Sequence, residues 1–348
     1  MLTRMPDSSA PPLGQLPLLT LYLSERCNSR CVTCDYWRFG SADLSLASVA
    51  RLVPQLQELG TESVLLSGGE PLLNPEWRAI ARLLRDAGLK LWLLTSGLSL
   101  AKHAPAVAAL FDQVTVSLDG TDASTYEAIR GLDAFDNVCA GIAAAVASGV
   151  PVGVRVTLQR ANFRQLPRFV TLTRELGARQ VSFLAVDVAN PHAFARKAGP
   201  DHSLALQRSD LGEFDALLDA LEREHARDFR EHFIAESPGR LRHIARYFAA
   251  VCGAGEYPPV RCNAPQFSAV IDAHGHVSPC FFIRGPAQAS LARAALPELL
   301  NQPPLRAQRA AIGAGEAPEC RTCVCSLWRP PGAAAVVSMP SFAEAAHV

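Results

Sequence analysis

Residues 26–34 read RCNSRCVTC and set three cysteines in the spacing Cys27-x3-Cys31-x2-Cys34. An odd set of thiols cannot pair off into disulfides. The run just before it, LLTLYLS (18–24), has the length and apolarity of a buried strand. The triplet therefore stands at the C-terminal end of a first strand, where parallel α/β barrels keep their chemistry. Working outward, further strands are expected at 63–68, 90–97, 113–120, 150–158 and 180–187. Helical patterns lie between them, at 44–59, 75–87, 99–110, 122–130, 136–148 and 164–177. Strands alternating with helices imply a parallel sheet with right-handed crossovers. The rhythm stops after Asp187, so six units form a partial barrel where a closed one needs eight.

The rest of the chain divides by texture. Residues 1–15 read as a flexible arm, 16–190 as the barrel core, 191–250 as a largely helical connection and 251–330 as a cysteine-rich module. Residues 331–348 read as a tail. Lys+Arg and Asp+Glu are equal at 33 each, which argues against nucleic acid as a partner. No apolar run approaches the ~18 residues of a membrane span. The N-terminus lacks the apolar core of a signal peptide. The expected location is the cytoplasm, where ten cysteines point to metal or catalysis rather than disulfides.

Three thiolates in a short loop can hold three irons of a [4Fe–4S] cubane and leave the fourth iron open to a small chelating molecule. Zinc, by contrast, usually takes four ligands in paired spacing. The triplet after a first strand resembles the hallmark of the radical SAM superfamily, over roughly residues 16–187. That resemblance implies that Cys27, Cys31 and Cys34 ligate the cluster. It also implies that the open iron takes the amino and carboxylate groups of S-adenosylmethionine. One-electron cleavage then yields methionine and a 5′-deoxyadenosyl radical, which abstracts a substrate hydrogen. The aromatic residue common before the family's third cysteine is replaced here by Thr33, with Tyr36 and Trp37 following.

SGGEP (67–71) closes the second strand. Gly68 and Gly69 permit close approach to the backbone, and Glu70 can accept a hydrogen bond from an ammonium group. The same letters also read as a plain turn. The motif resembles the family's GGE sequence, which implies contact with the amino group of S-adenosylmethionine. Polar residues end the next strands: Thr95 and Ser96, Ser117 and Asp119, then Arg155 and Thr157. Strand-end capping is the plain reading for Thr95, Ser96 and Asp119. An apolar interior that turns polar at its strand ends also suggests a ligand site, which puts Thr95 and Ser96 at the cofactor; the resemblance implies Ser117 and Arg155 at its ribose or carboxylate.

A second cysteine set follows the pattern Cys262-x12-Gly275-x4-Cys280, then Cys320-x2-Cys323-x-Cys325. FSAVIDAHGHVSPCFF reads as a hairpin turning at His274-Gly275. Four thiols on two arms also suit a zinc ribbon. The spacing resembles the SPASM/Twitch extension, which implies one auxiliary [4Fe–4S] cluster on Cys262, Cys280, Cys320 and Cys323. Cys325 and Cys252 compete for the fourth place. Cys139 reads as a small buried hydrophobe.

The expected fold class is α/β, a partial (β/α)6 TIM-like barrel with a small cysteine-rich SPASM/Twitch-like module. The expected function is a radical SAM oxidoreductase that abstracts hydrogen from a small metabolite such as a sugar or cyclitol, with the auxiliary cluster assisting oxidation. A start of the first strand near residue 18 favours a small molecule over a peptide bound by a preceding domain. Maturation of a ribosomal peptide is the alternative, and a non-catalytic zinc or iron–sulfur scaffold is the alternative of another class. The resemblance also implies a flavodoxin- or ferredoxin-type electron donor.

Overall fold

The structure is a computed structural model that describes residues 10–190, 193–196, 199 and 201–330; the expected tail at 331–348 and residues 1–9 of the expected arm lie outside the described residues. Six strands run in parallel: β1 (Leu18–Ser24), β2 (Ser63–Gly68), β3 (Lys90–Thr95), β4 (Gln113–Ser117), β5 (Val152–Leu158) and β6 (Gln180–Ala185). Helices α1 (Tyr36–Phe39), α2 (Leu46–Glu58), α3 (Trp77–Asp86), α4 (Leu100–Leu110), α5 (Ala123–Arg130), α6 (Phe135–Ala147) and α7 (Leu166–Glu175) occupy the connections. Alternation along each strand sorts the side chains. Leu19, Leu21, Val64, Leu66, Leu91 and Leu93 join the main core. Leu18, Leu65 and Trp92 form a separate apolar cluster on the inner face.

The sheet is open, as expected for a partial barrel, but it is longer than six strands. β7 (Ser268–Ile271) pairs in parallel with β1, matching Leu18 to Ser268 and Leu21 to Ile271. β8 (Val277–Ser278) returns antiparallel to β7, giving the order β6-β5-β4-β3-β2-β1-β7-β8. The turn passes through Gly275 at φ 78°, a left-handed conformation suited to glycine. The opposite edge is also covered: Val181 N donates to Phe233 O at 2.8 Å and Ala235 N to Val181 O at 2.9 Å. Such cover removes a free strand edge.

Helices α8 (Leu211–Glu224), α9 (Ala226–Arg230) and α10 (Pro238–Val251) lie in the expected connection. They are followed by β7, β8, α11 (Leu296–Asn301) and α12 (Pro303–Gly313). Residues 10–15 are pinned by these last helices. Leu13 exchanges hydrogen bonds of 2.7 and 3.0 Å with the Asn301 side chain, and Arg306 Nε donates to Ala10 O at 2.8 Å. Among the described residues no helix is long and apolar enough to cross a membrane.

Candidate active site

The loop after β1 carries Cys27, Cys31 and Cys34 and is tied down from four directions. Gly69 N donates to Ser24 O at 2.7 Å and Glu70 N to Arg26 O at 2.8 Å. Arg30 N and Val32 N donate to Arg130 O and Ile129 O at the end of α5, at 2.8 and 3.0 Å. Asp35 N donates to Phe194 O at 2.9 Å, and Arg196 Nε to Thr33 O at 3.2 Å. Glu25 N donates to Ala42 O at 2.9 Å. Phe194 and Ala195 sit at φ 58° and 57°, a strained conformation for residues with side chains, which the contacts of Arg196 hold in place.

The thiols of this loop are costly to ionise without a metal. Burial pushes Cys27 up to about 11 and Cys34 up to about 12, and neighbouring thiolates push the same way. The backbone N–H groups that face Cys27 and Cys34, and the Arg130 charge, act against that rise. Iron would supply the positive charge that deprotonation here lacks. Among the described residues no three His, Cys, Asp or Glu side chains converge tightly enough to hold one metal ion. Three soft thiolate donors on one short loop are the donor set that three corners of a [4Fe–4S] cubane take.

Glu70 is fully buried and organises the cradle. Its Oε1 accepts from Leu72 N at 3.1 Å and its Oε2 from Ser96 N at 2.7 Å. Thr95 Oγ1 donates to the same carboxylate, 2.9 Å from Oε1 and 3.0 Å from Oε2. Ser96 Oγ then reaches Asn28 Oδ1 on the cysteine loop at 3.1 Å. Thr95 and Ser96 thus hold Glu70 and the loop. The two glycines act on the loop as well. A Cβ on Gly69 would lie 2.5 Å from Arg26 O, and one on Gly68 would lie 2.5 Å from Ser24 O. The backbone that approaches them closely is that of the loop.

Arg130, which the sequence reading did not single out, closes the site from α5. Its Nη1 donates to Cys31 Sγ at 3.5 Å, and its Nε lies 2.8 Å from Asp119 Oδ2. The Nε–H is poorly aligned with the carboxylate, so that contact is an ion pair rather than a hydrogen bond. Asp119 Oδ1 in turn accepts from Thr157 N at 2.7 Å. The helix is well seated for this task. Asp122 caps it through Thr125 N at 2.8 Å, worth about 1 kcal/mol, and Gly131 ends it at φ 73°. In sequence, Arg130 reads as a basic residue complementing a helix C-terminus; only the fold shows that it faces a thiol. Breaking a buried pair leaves a stranded charge, so Arg130→Gln should destabilise the protein by about 3 kcal/mol in urea unfolding. Adding Asp119→Asn should recover most of that loss.

Ser117 and Arg155 are register partners on β4 and β5. Arg155 lies 3.4 Å, Nε to Oγ, from Ser182 and lines a cavity bounded by Cys262, Cys280, Cys320, Cys323 and Cys325. Leu18, Leu65 and Trp92 of the inner face form its floor. Five thiols therefore surround one largely apolar space. Burial raises Cys280 to about 12 and Cys320 to about 11. It also raises Cys323 and Cys325, with Arg155 acting against the rise at Cys325. Cys252 caps α10, its Sγ donating to Ala249 O at 3.4 Å, and does not line the cavity. Cys139 is half-buried on α6. Between the two thiol sets stand Tyr22 and Tyr36, packed edge to face with centroids 6.2 Å apart. Burial holds the Tyr22 hydroxyl well above its ordinary value, and the nearby Tyr36, Cys280 and Cys34 push the same way. Trp37 Nε1 donates to Cys31 O at 3.3 Å.

Comparison with known proteins agrees with this two-centre layout. A family model described as Radical SAM superfamily matches residues 21–172, and one described as an iron-sulfur cluster-binding domain, SPASM, matches residues 262–324. The chain is 31% identical over 167 residues to the AdoMet-dependent heme synthase of Methanosarcina barkeri, covering 46% of this chain and 48% of that protein. It is 34% identical over 210 residues to a probable GTP 3',8-cyclase of Methanopyrus kandleri, covering 58% and 66%. The matches thus span between about half and two thirds of these relatives' lengths. In structure, Streptococcus suis SuiB bound to S-adenosylmethionine aligns with a TM-score of 0.65 at 15% identity, over 86% of this chain and 69% of that one. That is a likeness of fold.

Proposed function

We infer the reaction from the premise that this chain belongs to the radical SAM superfamily and carries a C-terminal SPASM iron–sulfur domain, with [4Fe–4S] clusters and S-adenosylmethionine as its cofactors. In our reading Cys27, Cys31 and Cys34 hold the first cluster, and Cys262, Cys280, Cys320 and Cys323 hold the auxiliary one. When bound, these groups supply a 5′-deoxyadenosyl radical at the first site and a one-electron sink at the second. The protein's own work is positioning. Glu70 would accept a hydrogen bond from the cofactor's ammonium through a carboxylate already fixed by Thr95 and Ser96. Gly68 and Gly69 keep the cysteine loop against that carboxylate. Ser117 faces the ribose side. We assign Arg155 to the auxiliary side, where it offsets thiolate charge at Cys325.

The substrate would lie between the two centres, beside Tyr22 and Tyr36, giving a hydrogen atom to the 5′-deoxyadenosyl radical, an electron to the auxiliary cluster and a proton to water in a net oxidation. The observation that carries this reading is that both thiol sets address the inner face of one sheet. A small molecule is the favoured substrate, because the names of the heme synthase and the cyclase point to small molecules. A peptide is the second reading. Val32, Phe39, Phe194 and Phe281 are exposed large apolar side chains. Val32 and Phe39 sit on and just after the cysteine loop, and Phe194 packs on Phe282, next to Phe281. Such side chains suit an apolar chain at the site's mouth. An acidic low-potential flavodoxin or ferredoxin in the cytoplasm completes the proposal as electron donor.

Anaerobically purified protein should be brown, with about eight irons and eight sulfides per chain for two cubanes. A colourless protein holding zinc alone would overturn the enzyme reading. With reductant and S-adenosylmethionine, deuterium from the true substrate should appear in 5′-deoxyadenosine. Replacing Cys320 and Cys323 by alanine should leave uncoupled 5′-deoxyadenosine formation and abolish product. Persistent product formation would make the second centre structural.

A further inference from the structure

On the outer side of the wall that carries the second thiol set lies a groove of about 510 Å³. It is built from one face of α10, the segment leading into Cys262 and the residues just after Cys325. Arg240, His243, Arg246, Arg261, Ser326 and Trp328 line it, and the described lining contains no Asp or Glu. Val260 lines both this groove and the thiol cavity, so one residue's thickness separates the two.

The arginines are held in distinct ways. Arg240 is anchored by Ser326, its Nη2 donating to the carbonyl at 3.3 Å and Nη1 to Oγ at 3.4 Å. Arg261 Cζ sits over the Trp328 ring, 3.6 Å from its centroid, a cation–π contact that holds the guanidinium at the groove. Arg246 is exposed, on the same helix as Arg240. Glu236, which feels the charge of Arg240, is buried and accepts from Phe183 N at 2.8 Å; it does not line the groove. The positive field is visible in His243, held down at about 4 by burial and by the charges of Arg240 and Arg246. His243 Nε2 is buried with no hydrogen-bond partner among the described residues.

Guanidinium groups concentrated in a groove whose described lining holds no carboxylate are costly unless an anion completes them. We propose that this groove is a binding site for a phosphate-type oxyanion, held by Arg240, Arg246 and Arg261 on the outer face of the auxiliary-centre wall. Its chemistry does not depend on the substrate proposed above. Two sources share it, namely free phosphate or pyrophosphate and the phosphate group of an organic ester. An ester adds a base or sugar that can pack at the exposed edge of Trp328.

The test uses full-length, iron-loaded protein under anaerobic conditions at fixed ionic strength. Phosphate, pyrophosphate and ADP are titrated in turn, followed by tryptophan emission and by melting temperature. A saturable response is expected. Arg246→Gln and Arg261→Gln should each weaken it about tenfold, the scale of one charge-assisted contact. Iron content and 5′-deoxyadenosine formation should stay unchanged in both. Pyrophosphate binding as tightly as ADP would identify free oxyanion as the ligand, and tighter ADP binding would identify an ester; both support the site. No saturable response, or a response retained in both variants, would overturn it. So would an Arg246-dependent complex with an acidic redox protein in the absence of any small-anion response.

Discussion

Replacing Cys27, Cys31 and Cys34 together by alanine is expected to lower iron from about eight to about four per chain, the loss of one cubane. Formation of 5′-deoxyadenosine should fall to background. The effect should be all-or-none because the chemistry would belong to the cluster we assign to those thiols rather than to any side chain. The remaining iron should still sit on the second set, since its five thiols line a cavity of their own. Far-ultraviolet dichroism should be unchanged, because the loop's backbone is fixed by β2, α5 and Phe194 rather than by the thiols. Undiminished 5′-deoxyadenosine from this variant would remove the triplet from the mechanism altogether.

Gly69→Ala should produce nearly the same chemical loss with every cysteine intact. The added carbon would lie 2.5 Å from Arg26 O and 2.6 Å from Glu25 O, closer than real contacts allow. Backbone oxygens cannot swing aside as a side-chain tip can. The loop must move instead, and overpacking of this kind costs about 1–3 kcal/mol. Displacing Arg26 breaks the Glu70 N to Arg26 O bond and loosens Asn28 from Ser96. The expected result is a folded protein with iron near the level of the cysteine triple variant and little 5′-deoxyadenosine. Gly212→Ala is the control. It lies in α8 with open space around its Cβ position, and it should stabilise by about 0.5–1 kcal/mol without touching activity. Full iron loading in Gly69→Ala would show that the loop tolerates the shift.

Much of this site could be read from residue order. The strand rhythm located all six barrel strands, and the triplet and GGEP marked two neighbouring strand ends. The hairpin turn at His274-Gly275 was legible because glycine at a left-handed position is a local demand. What escaped was non-local. β7 pairs with β1 across some 250 positions of chain, and no local pattern encodes that partner. Arg155 was legible as an inner-face residue by its alternation. That alternation cannot tell how far up the barrel a side chain lies, and the inner face serves both centres. Arg130 was hidden because a basic residue at a helix end has an ordinary explanation. The glycines of GGEP were assigned the right permissiveness, but the approaching group is the protein's own backbone.

The sheet register of β7 against β1 also limits how this molecule can be taken apart. The strand that launches the cysteine loop has its other hydrogen-bonding side occupied by a segment from far down the chain. Excising everything after α10 would bare that side of β1 and the apolar floor of Leu18, Leu65 and Trp92 together, an invitation to intermolecular strand addition. The two parts should therefore unfold as one cooperative unit, and a chain truncated after α10 should precipitate rather than turn over.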